Sequence, residues 1–249
     1  MDQVRAPERW LLALWDVDHT LIENNGVNKE TYANAFELLT GRQAVHRAET
    51  DGRTEPEIMR NMLIAHGIEP TGSYLARVAE VLERATAANA SRLRDRGCEL
   101  PGARDALAAL QGTPGIVQSV LSGNTRPNAY TKLSAFGLHE YLDFEVGGYG
   151  SDDDVRANLV GVAQGRASAK YGVGFGPETT VLVGDTPRDV RAGLDGGAHV
   201  VAVASGSDDM DTLREAGADV VLPDLRDTQA VVRAVTQFRG PVAQDAPPS

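Results

Sequence analysis

The sequence predicts an α/β protein in which a doubly wound parallel sheet, a Rossmann-like core, is interrupted by an inserted all-helical cap domain. After Pro101-Gly102, short β-branched runs alternate with helical segments, which is the pattern of βαβ units. From about Ile22 to Arg96, every periodic segment has helical spacing and none has the spacing of a strand. The predicted domains are core at 1–21, helical cap at 22–96, core at 97–239 and a disordered tail at 240–249.

Each element is predicted from its local pattern. Trp10 to Trp15 is a short apolar run without alternation, which is typical of a central parallel strand buried on both faces. In the cap, Thr54 to Glu57 offers an N-cap, an early proline and a capping-box glutamate. Cap helices are predicted at Thr31–Leu39, after Thr54 and at Tyr74–Leu93. Later strands are predicted at Ile116–Leu121, Phe144–Val146, Thr180–Val183, His199–Val203 and Asp219–Leu222, and later helices at Ala103–Leu110, Asn128–Phe136, Ala157–Tyr171, Val190–Asp195, Asp211–Ala216 and Gln229–Gln237.

Composition narrows the classes of function. Apolar and charged fractions of 42% and 24% are ordinary for a globular protein, and no segment reaches the roughly 20 apolar residues that span a bilayer. The charged segment Met1 to Arg9 argues against a secretory signal, and a net charge of −11 disfavours nucleic-acid binding. We therefore expect a cytoplasmic protein that acts on a small molecule, with neither a nucleic-acid nor a membrane partner. The sequence does not indicate the oligomeric state.

Polar clusters follow three of the predicted strands. Asp16 and Asp18 come directly after the first strand, and residues two apart on an extended chain project to the same side. Ser122-Gly123-Asn124-Thr125 ends the second strand and offers a hydroxyl and backbone amides suited to phosphate oxygens. Taken singly, the first cluster also fits a strand end that begins a turn, and the second fits an ordinary strand-to-helix turn.

The third cluster, Gly184 to Asp189, follows the strand at Thr180–Val183. Asp185 lies at the strand tip, and Asp189 is placed either to cap the next helix or to orient the water shell of a cation. Mg²⁺ prefers oxygen ligands and usually keeps several waters. Because ligands of doubly wound sheets bind at the carboxyl ends of the strands, one crevice can collect all three clusters.

The motifs together resemble the haloacid dehalogenase superfamily, specifically its phosphoglycolate phosphatase-like members with a helical cap after the first strand. The resemblance runs from about Leu11 to Phe238. It is carried by the segments Leu14–Leu21, Leu100–Ala103, Leu121–Thr125 and Val183–Val190.

The resemblance implies a magnesium-dependent phosphatase with Asp16 as the nucleophile that forms an aspartyl-phosphate. Asp18 is implied to protonate the leaving oxygen and then to deprotonate the hydrolytic water. The implied Mg²⁺ ligands are Asp16, Asp185 and the backbone carbonyl of Asp18, with Asp189 bound directly or through water. Ser122, Gly123 and Asn124 are implied to bind the phosphate.

The chain departs from the commonest family pattern at two places. His19 stands where many relatives have glycine, and we expect a surface histidine without a catalytic role. The usual lysine before the helix at Ala157–Tyr171 is missing, so we expect Arg156 to bridge the phosphate and the nucleophile. Lys170 is the alternative, but it falls about 20 Å further along that helix.

Other functions remain open at this stage. A phosphomutase differs mainly in passing the phosphoryl group to a sugar hydroxyl, whereas a dehalogenase of the same superfamily typically lacks an aspartate at the position of Asp18. A phospho-accepting signalling domain and a dinucleotide-binding module fit the motif order less well. The substrate is expected to contact the cap, where the candidate cations for a second anionic group, as in phosphoglycolate-like compounds or sugar phosphates, are Lys29, Arg47, Arg53 and Arg60.

Overall fold

A computed structural model describes residues 10–50 and 52–239 of the chain. Its main sheet has six parallel strands in the order β5-β4-β1-β6-β7-β8. Those strands are β1 (Leu11–Trp15), β4 (Ile116–Ser122), β5 (Gly148–Tyr149), β6 (Thr180–Gly184), β7 (His199–Val203) and β8 (Val220–Leu222). A second, antiparallel pair joins β2 (Ile22–Glu23) to β3 (Cys98–Glu99). The predicted α/β class with a parallel sheet is confirmed.

Strand β1 occupies the centre of the sheet and is buried on both faces. Its five residues are fully buried. Leu11, Ala13 and Trp15 belong to one hydrophobic cluster, and Leu12 and Leu14 belong to another, because successive side chains of a strand point to opposite faces. This accounts for the apolar run without alternation.

The helices cover both faces of the sheet. Their bounds are α1 Val27–Thr40, α2 Glu55–Ala65, α3 Gly72–Leu75, α4 Val78–Arg96, α5 Ala103–Gln111, α6 Arg126–Ser134, α7 Asn158–Tyr171, α8 Pro187–Gly196, α9 Met210–Glu215 and α10 Thr228–Thr236. Apolar residues of α5, α6 and α10 join the cluster of Trp15, whereas those of α7 join the cluster of Leu14. The core is thus doubly wound. Among the described helices, none has the length and apolarity needed to cross a membrane.

Helices α1, α2 and α4 bury a hydrophobic cluster of their own, which includes Phe36, Met59 and Leu82. The division of the chain into separate core and cap domains stays a prediction. Two expectations for this segment were wrong: Ile22–Glu23 is a short strand, and the helix predicted at Tyr74–Leu93 is broken between α3 and α4. Two paired residues are too few to show alternation, and Ala76, in the break itself, is a residue that favours helix.

The strand predicted at Phe144–Val146 is also wrong, since β5 lies two residues further on, at Gly148–Tyr149. Phe144 and Val146 are apolar because they pack into the two core clusters, not because they pair in the sheet. Helices α6 and α8 begin earlier than predicted. Thr125 and Thr186 cap them by accepting hydrogen bonds from the backbone N–H groups of Asn128 and Asp189. The predicted tail at 240–249 lies outside the described residues.

Strands β4, β1 and β6 are neighbours, so the carboxyl ends that carry the three polar clusters meet at one edge of the sheet. The strand order reverses at β1, which makes this edge a topological switch point, where ligands of doubly wound sheets bind.

Candidate functional site

Three aspartates meet where β1 and β6 end. The backbone N–H of Asp16 donates to the carbonyl of Val183 at 2.9 Å, so strand pairing continues to the first residue of the site. One carboxylate oxygen from each of Asp16, Asp185 and Asp189 lies within 4.8 Å of the others, and all three residues are buried. Two of the three predicted strand-tip clusters are therefore brought together.

Asp189 serves two neighbours at once. Its Oδ2 accepts hydrogen bonds from the Thr186 hydroxyl at 2.6 Å and the Thr186 backbone N–H at 3.1 Å, which caps α8. Its Oδ1 lies 2.5 Å from Nη2 of Arg156. The two interpretations left open by the sequence, a helix cap and a member of a charged site, are thus compatible.

Arg156 is the cation of this cluster. It lies just before α7, is 10% exposed, and places Nη2 at 2.6 Å from Oδ1 of Asp16. Lys170, at the far end of the helix, instead pairs with Asp143 at 2.7 Å and Glu145 at 2.6 Å. The structure therefore brings Arg156, and not Lys170, to the predicted site.

The cluster carries more negative charge than Arg156 balances. Burial raises the pKa of Asp16; Arg156 opposes this rise, and Asp189 and Asp18 add to it. Burial and the charges of Asp189 and Asp16 likewise raise the pKa of Asp185. Three carboxylates facing one guanidinium, with only oxygen donors, fit a divalent cation such as Mg²⁺.

Asp18 has very different surroundings. Its Oδ1 accepts from Asn24 at 3.2 Å and Asn28 at 2.8 Å, and its Oδ2 accepts from Asn124 at 3.1 Å and Lys132 at 2.7 Å. Burial alone would raise the pKa of Asp18. The charge and hydrogen bond of Lys132, with the amides of Asn124 and Asn28, outweigh burial and lower that pKa to about 2.

The second cluster lies beside the cap. The Ser122 hydroxyl accepts from the Asn124 side-chain amide at 2.7 Å, and the carbonyl of Gly123 accepts from the backbone N–H of Glu55 at 2.7 Å. A Cβ at Gly123 would overlap the carbonyl of Arg53, so this glycine lets the cap backbone approach the core. The side chain of Asn124 faces Asp18, Ser122 and Lys132, and its predicted phosphate contact stays a prediction.

A cavity of about 330 Å³ opens over these groups. It is lined by Asp16, Asp18, Ser122, Gly123, Asn124, Arg156, Asp185 and Asp189, together with cap residues. Of the four cap cations singled out in the sequence, Lys29 and Arg53 line the cavity. Arg60 pairs with Asp154 at 2.7 Å.

His19 adopts a left-handed backbone conformation with φ of 63°, a region that glycine enters most readily. Its side chain is 43% exposed and its Nδ1 lies 2.9 Å from Oε2 of Glu23. The backbone at this position thus has the conformation that glycine favours, and His19 is one of the residues that line the cavity.

Sequence reasoning missed several residues of the site. Thr20 donates its hydroxyl to Oδ1 of Asp185 at 2.9 Å, and Lys132 contacts Asp18. A signal for Lys132 was present: it falls with Asn128, Ala129 and Leu133 on the buried face of α6, where an unpaired lysine is costly. Asn24 and Asn28 carried no comparable signal.

Comparison with protein families gave two matches. The model of the haloacid dehalogenase-like hydrolases matches residues 13–193, which is well over half of the chain. A second model, of the HAD-hydrolase-like group, matches residues 159–228. A search of curated proteins found no significant match.

Solved structures of similar fold cover nearly the whole chain. A hydrolase from Pseudomonas syringae has 19% identity and a TM-score of 0.64, over 90% of this chain and 99% of that one. A predicted phosphoglycolate phosphatase from Haemophilus somnus has 16% identity and a TM-score of 0.63, over 91% and 99%. CbbY from Rhodobacter sphaeroides, in complex with phosphate, has 18% identity and a TM-score of 0.65, over 88% and 96%. At these identities the likeness establishes the fold.

Proposed function

Because the chain belongs to the haloacid dehalogenase-like hydrolase family, we propose that it is a magnesium-dependent phosphatase that hydrolyses a small phosphorylated metabolite. One observation carries this proposal: carboxylate oxygens of Asp16, Asp185 and Asp189 lie within 4.8 Å of one another at the switch point of the sheet. An anionic ester can approach such a group only when a cation offsets the repulsion. Asp16, Asp185 and the backbone carbonyl of Asp18 would hold Mg²⁺, with Asp189 bound directly or through water.

Asp16 attacks the phosphorus in the first step. A bond forms between its carboxylate oxygen and phosphorus while the bond to the leaving oxygen breaks, which gives an aspartyl-phosphate. Asp18, whose carboxyl group is ionised in the substrate-free protein, must take up a proton when the substrate binds, and it then gives that proton to the leaving oxygen. In the second step Asp18 takes a proton from water, and the resulting hydroxide releases inorganic phosphate and restores the Asp16 carboxylate. Mg²⁺, when held by these residues, would offset the negative charge of the phosphoryl group.

The phosphoryl oxygens are assigned to four groups in this proposal. The Ser122 hydroxyl and the Gly123 and Asn124 backbone amides lie on the side of β4, and Arg156 lies on the side of α7. Arg156 already contacts the nucleophile at 2.6 Å. A guanidinium can also bind two phosphate oxygens at once, so Arg156 is suited to align the ester with Asp16.

The cavity favours a small substrate with a second anionic group. Its volume of about 330 Å³ is at the small end of ligand pockets, and Lys29 and Arg53 line it from the cap. Arg53 is 20% exposed on its side chain and lies 3.2 Å from Glu49 and 3.3 Å from Glu57. A substrate carboxylate or second phosphate would compete with these glutamates, so phosphoglycolate-like compounds and sugar phosphates are the proposed classes.

A panel of phosphate esters assayed with Mg²⁺ and with EDTA tests the proposal. We expect phosphate release only with Mg²⁺, and Asp16→Asn to lower turnover by more than about 10³-fold while the fold, checked by circular dichroism, stays intact. Asp143→Asn is the matched control, since Asp143 is a partly buried aspartate that also pairs with a cation, Lys170, away from the cavity. Wild-type turnover by Asp16→Asn would overturn the assignment of the nucleophile.

The same panel separates the phosphomutase alternative. A phosphatase releases inorganic phosphate from a sugar phosphate, whereas a mutase converts it to an isomer at constant ester content. Phosphorus-31 NMR of the reaction distinguishes the two outcomes. The dehalogenase alternative lacks support, because the aspartates at positions 18 and 185 are present and halide displacement needs neither a protonated leaving oxygen nor a metal.

A further inference from the structure

Lys132 is a buried cation that the proposed mechanism does not use. Its side chain is 3% exposed. Its Nζ lies 2.7 Å from Oδ2 of Asp18 and 2.6 Å from Oδ1 of Asn124. A lysine is rarely this buried without a charged partner, so its neighbours indicate what it does.

The four donors around Asp18 fill both of its oxygens. Each oxygen accepts two hydrogen bonds, which is close to the capacity of a carboxylate. A leaving oxygen or a water can reach Asp18 only by displacing one donor. Asn24, Asn28 and Asn124 line the cavity, whereas Lys132 is not among the described residues that line it.

Lys132 therefore contacts Asp18 from the side away from the cavity, and it is the charged member of the set. A charge-assisted hydrogen bond is stronger than those of neutral amides. An incoming group will thus displace a cavity-lining asparagine and leave the contact with Lys132 in place.

We propose that Lys132 is a positioning residue, which holds Oδ2 of Asp18 from behind so that the carboxyl group keeps its orientation when a substrate oxygen replaces an asparagine amide. This inference rests on the proposed acid–base role of Asp18. Lys132 itself touches neither the substrate nor the metal. Its removal is expected to impair the proton transfers of Asp18 and to leave phosphate binding nearly unchanged.

A purely structural role for Lys132 has a clear candidate partner. Glu55 of α2 is also buried nearby, where its Oε2 accepts from the Thr125 backbone N–H and the Asn128 side chain, both at 2.8 Å. The positive charge of Lys132 opposes the rise that burial causes in the pKa of Glu55. Under this alternative, Lys132 would stabilise the contact between cap and core, and its loss would affect all substrates equally.

Leaving-group dependence separates the two roles. Phenoxide needs protonation more than p-nitrophenolate does, and kcat/KM reports the first phosphoryl transfer. For Lys132→Met we expect kcat/KM to fall about 10- to 100-fold with phenyl phosphate and less than about 3-fold with p-nitrophenyl phosphate. Lys132→Arg should restore part of the loss. Lys170→Met, which removes a lysine that also pairs with two carboxylates, should match the wild type with both esters.

A double-mutant cycle with Asp18→Asn tests whether Lys132 acts through Asp18. In the Asp18→Asn background, Lys132→Met should cause no further loss of activity. In the Glu55→Gln background, it should cause the same loss as in the wild type. Equal losses with both esters, or a full additional loss in the Asp18→Asn background, would overturn the proposal. If Lys132→Met alone fails to fold, Lys132→Arg and the double variant, which leaves no unpaired charge between residues 18 and 132, carry the test.

If the wild type hydrolyses no ester of the panel with Mg²⁺, the proposed phosphatase fails separately. The contact itself is then tested by the carbon-13 signal of the Asp18 carboxyl group. That signal should move in Lys132→Met and stay in place in Lys170→Met. An unmoved signal in Lys132→Met would show that Lys132 does not hold Asp18.

Discussion

Asp16 and Asp18 are two residues apart at the tip of one strand, yet their surroundings are electrically opposite. Asp16 faces two further carboxylates and one guanidinium, and its pKa is raised by burial. Asp18 faces a lysine and three amides, and its pKa is lowered to about 2. The surroundings of Asp16 are thus suited to a cation, whereas the neighbouring surroundings of Asp18 stabilise its own negative charge.

The difference arises from the elements on each side of β1. The loop after β6 and helix α8 supply Asp185 and Asp189, whereas the loop after β4 and helix α6 supply Asn124 and Lys132. Local sequence at positions 16 to 18 does not distinguish the two aspartates. The contacts that distinguish them include partners more than 100 residues away along the chain.

The largest expected effect is on stability. Removing the Asp185 carboxylate should stabilise the folded protein, whereas removing the Asp18 carboxylate should destabilise it. In EDTA, Asp185→Asn should raise the melting temperature by about 2–4 °C, because it removes one of three mutually repelling buried carboxylates. Asp18→Asn should lower the free energy of unfolding by about 3 kcal/mol, because Lys132 is left buried without its counter-ion. Scanning calorimetry of both variants measures this.

Added Mg²⁺ provides the control for that pair. It should stabilise the wild type and Asp18→Asn by binding to the folded state, and it should stabilise Asp185→Asn far less. Both variants should lose at least about 100-fold in kcat. A melting temperature that falls in both variants would show that the two sides are not electrically opposite.

The pH dependence of the metal-free protein should show the same contrast. The folded pKa of Asp185 is raised above 3.8, so between the unfolded and folded pKa values the folded chain binds the extra proton and stability falls as pH rises. The folded pKa of Asp18 is about 2, against an ordinary value of 3.8. The stability that ionised Asp18 contributes is therefore present above pH 3.8 and is lost as the pH falls toward 2.

Melting temperatures in EDTA across this range measure both contributions. The gain of Asp185→Asn over the wild type should grow as pH rises and should disappear when Mg²⁺ is added. The deficit of Asp18→Asn should be constant near neutral pH and should shrink in acid. A gain for Asp185→Asn that is independent of pH would contradict the assignment of its raised pKa.

The sequence predicted the residues around Asp16 well and the residues around Asp18 poorly, for physical reasons. Asp16, Asp185 and Asp189 follow apolar strands directly, and strand ends are visible in a sequence as the point where apolar runs stop. Arg156 was placed by its distance from a helix start. Backbone periodicity therefore locates side chains at strand tips, and the parallel sheet gathers them.

Two of the four donors around Asp18, Asn28 and Lys132, come from helices, where position along the chain says little about which residue reaches the site. Asn28 and Lys132 reach it only because α1 and α6 pack against the loop that follows β1. The same limit explains the strand misplaced at Phe144–Val146. Buried apolar residues mark packing, and packing does not reveal whether the backbone pairs in a sheet.

The smallest expected effect concerns the position of the Asp185 carboxylate and involves no change of charge. Gly206 lies in the loop after β7, where a Cβ would overlap Oδ2 of Asp185. Gly206→Ala should therefore displace the Asp185 carboxylate and weaken Mg²⁺ binding by about 10-fold, which is typical when the support of a metal ligand is disturbed. Isothermal titration calorimetry with Mg²⁺ gives the affinity directly.

Gly161→Ala is the matched control, because a Cβ there has no neighbour within 4 Å. Its Mg²⁺ affinity should equal that of the wild type, and its position in the interior of α7 should add about 0.5–1 kcal/mol of stability. An equal affinity in Gly206→Ala would mean that the position of Asp185 is not what sets metal binding.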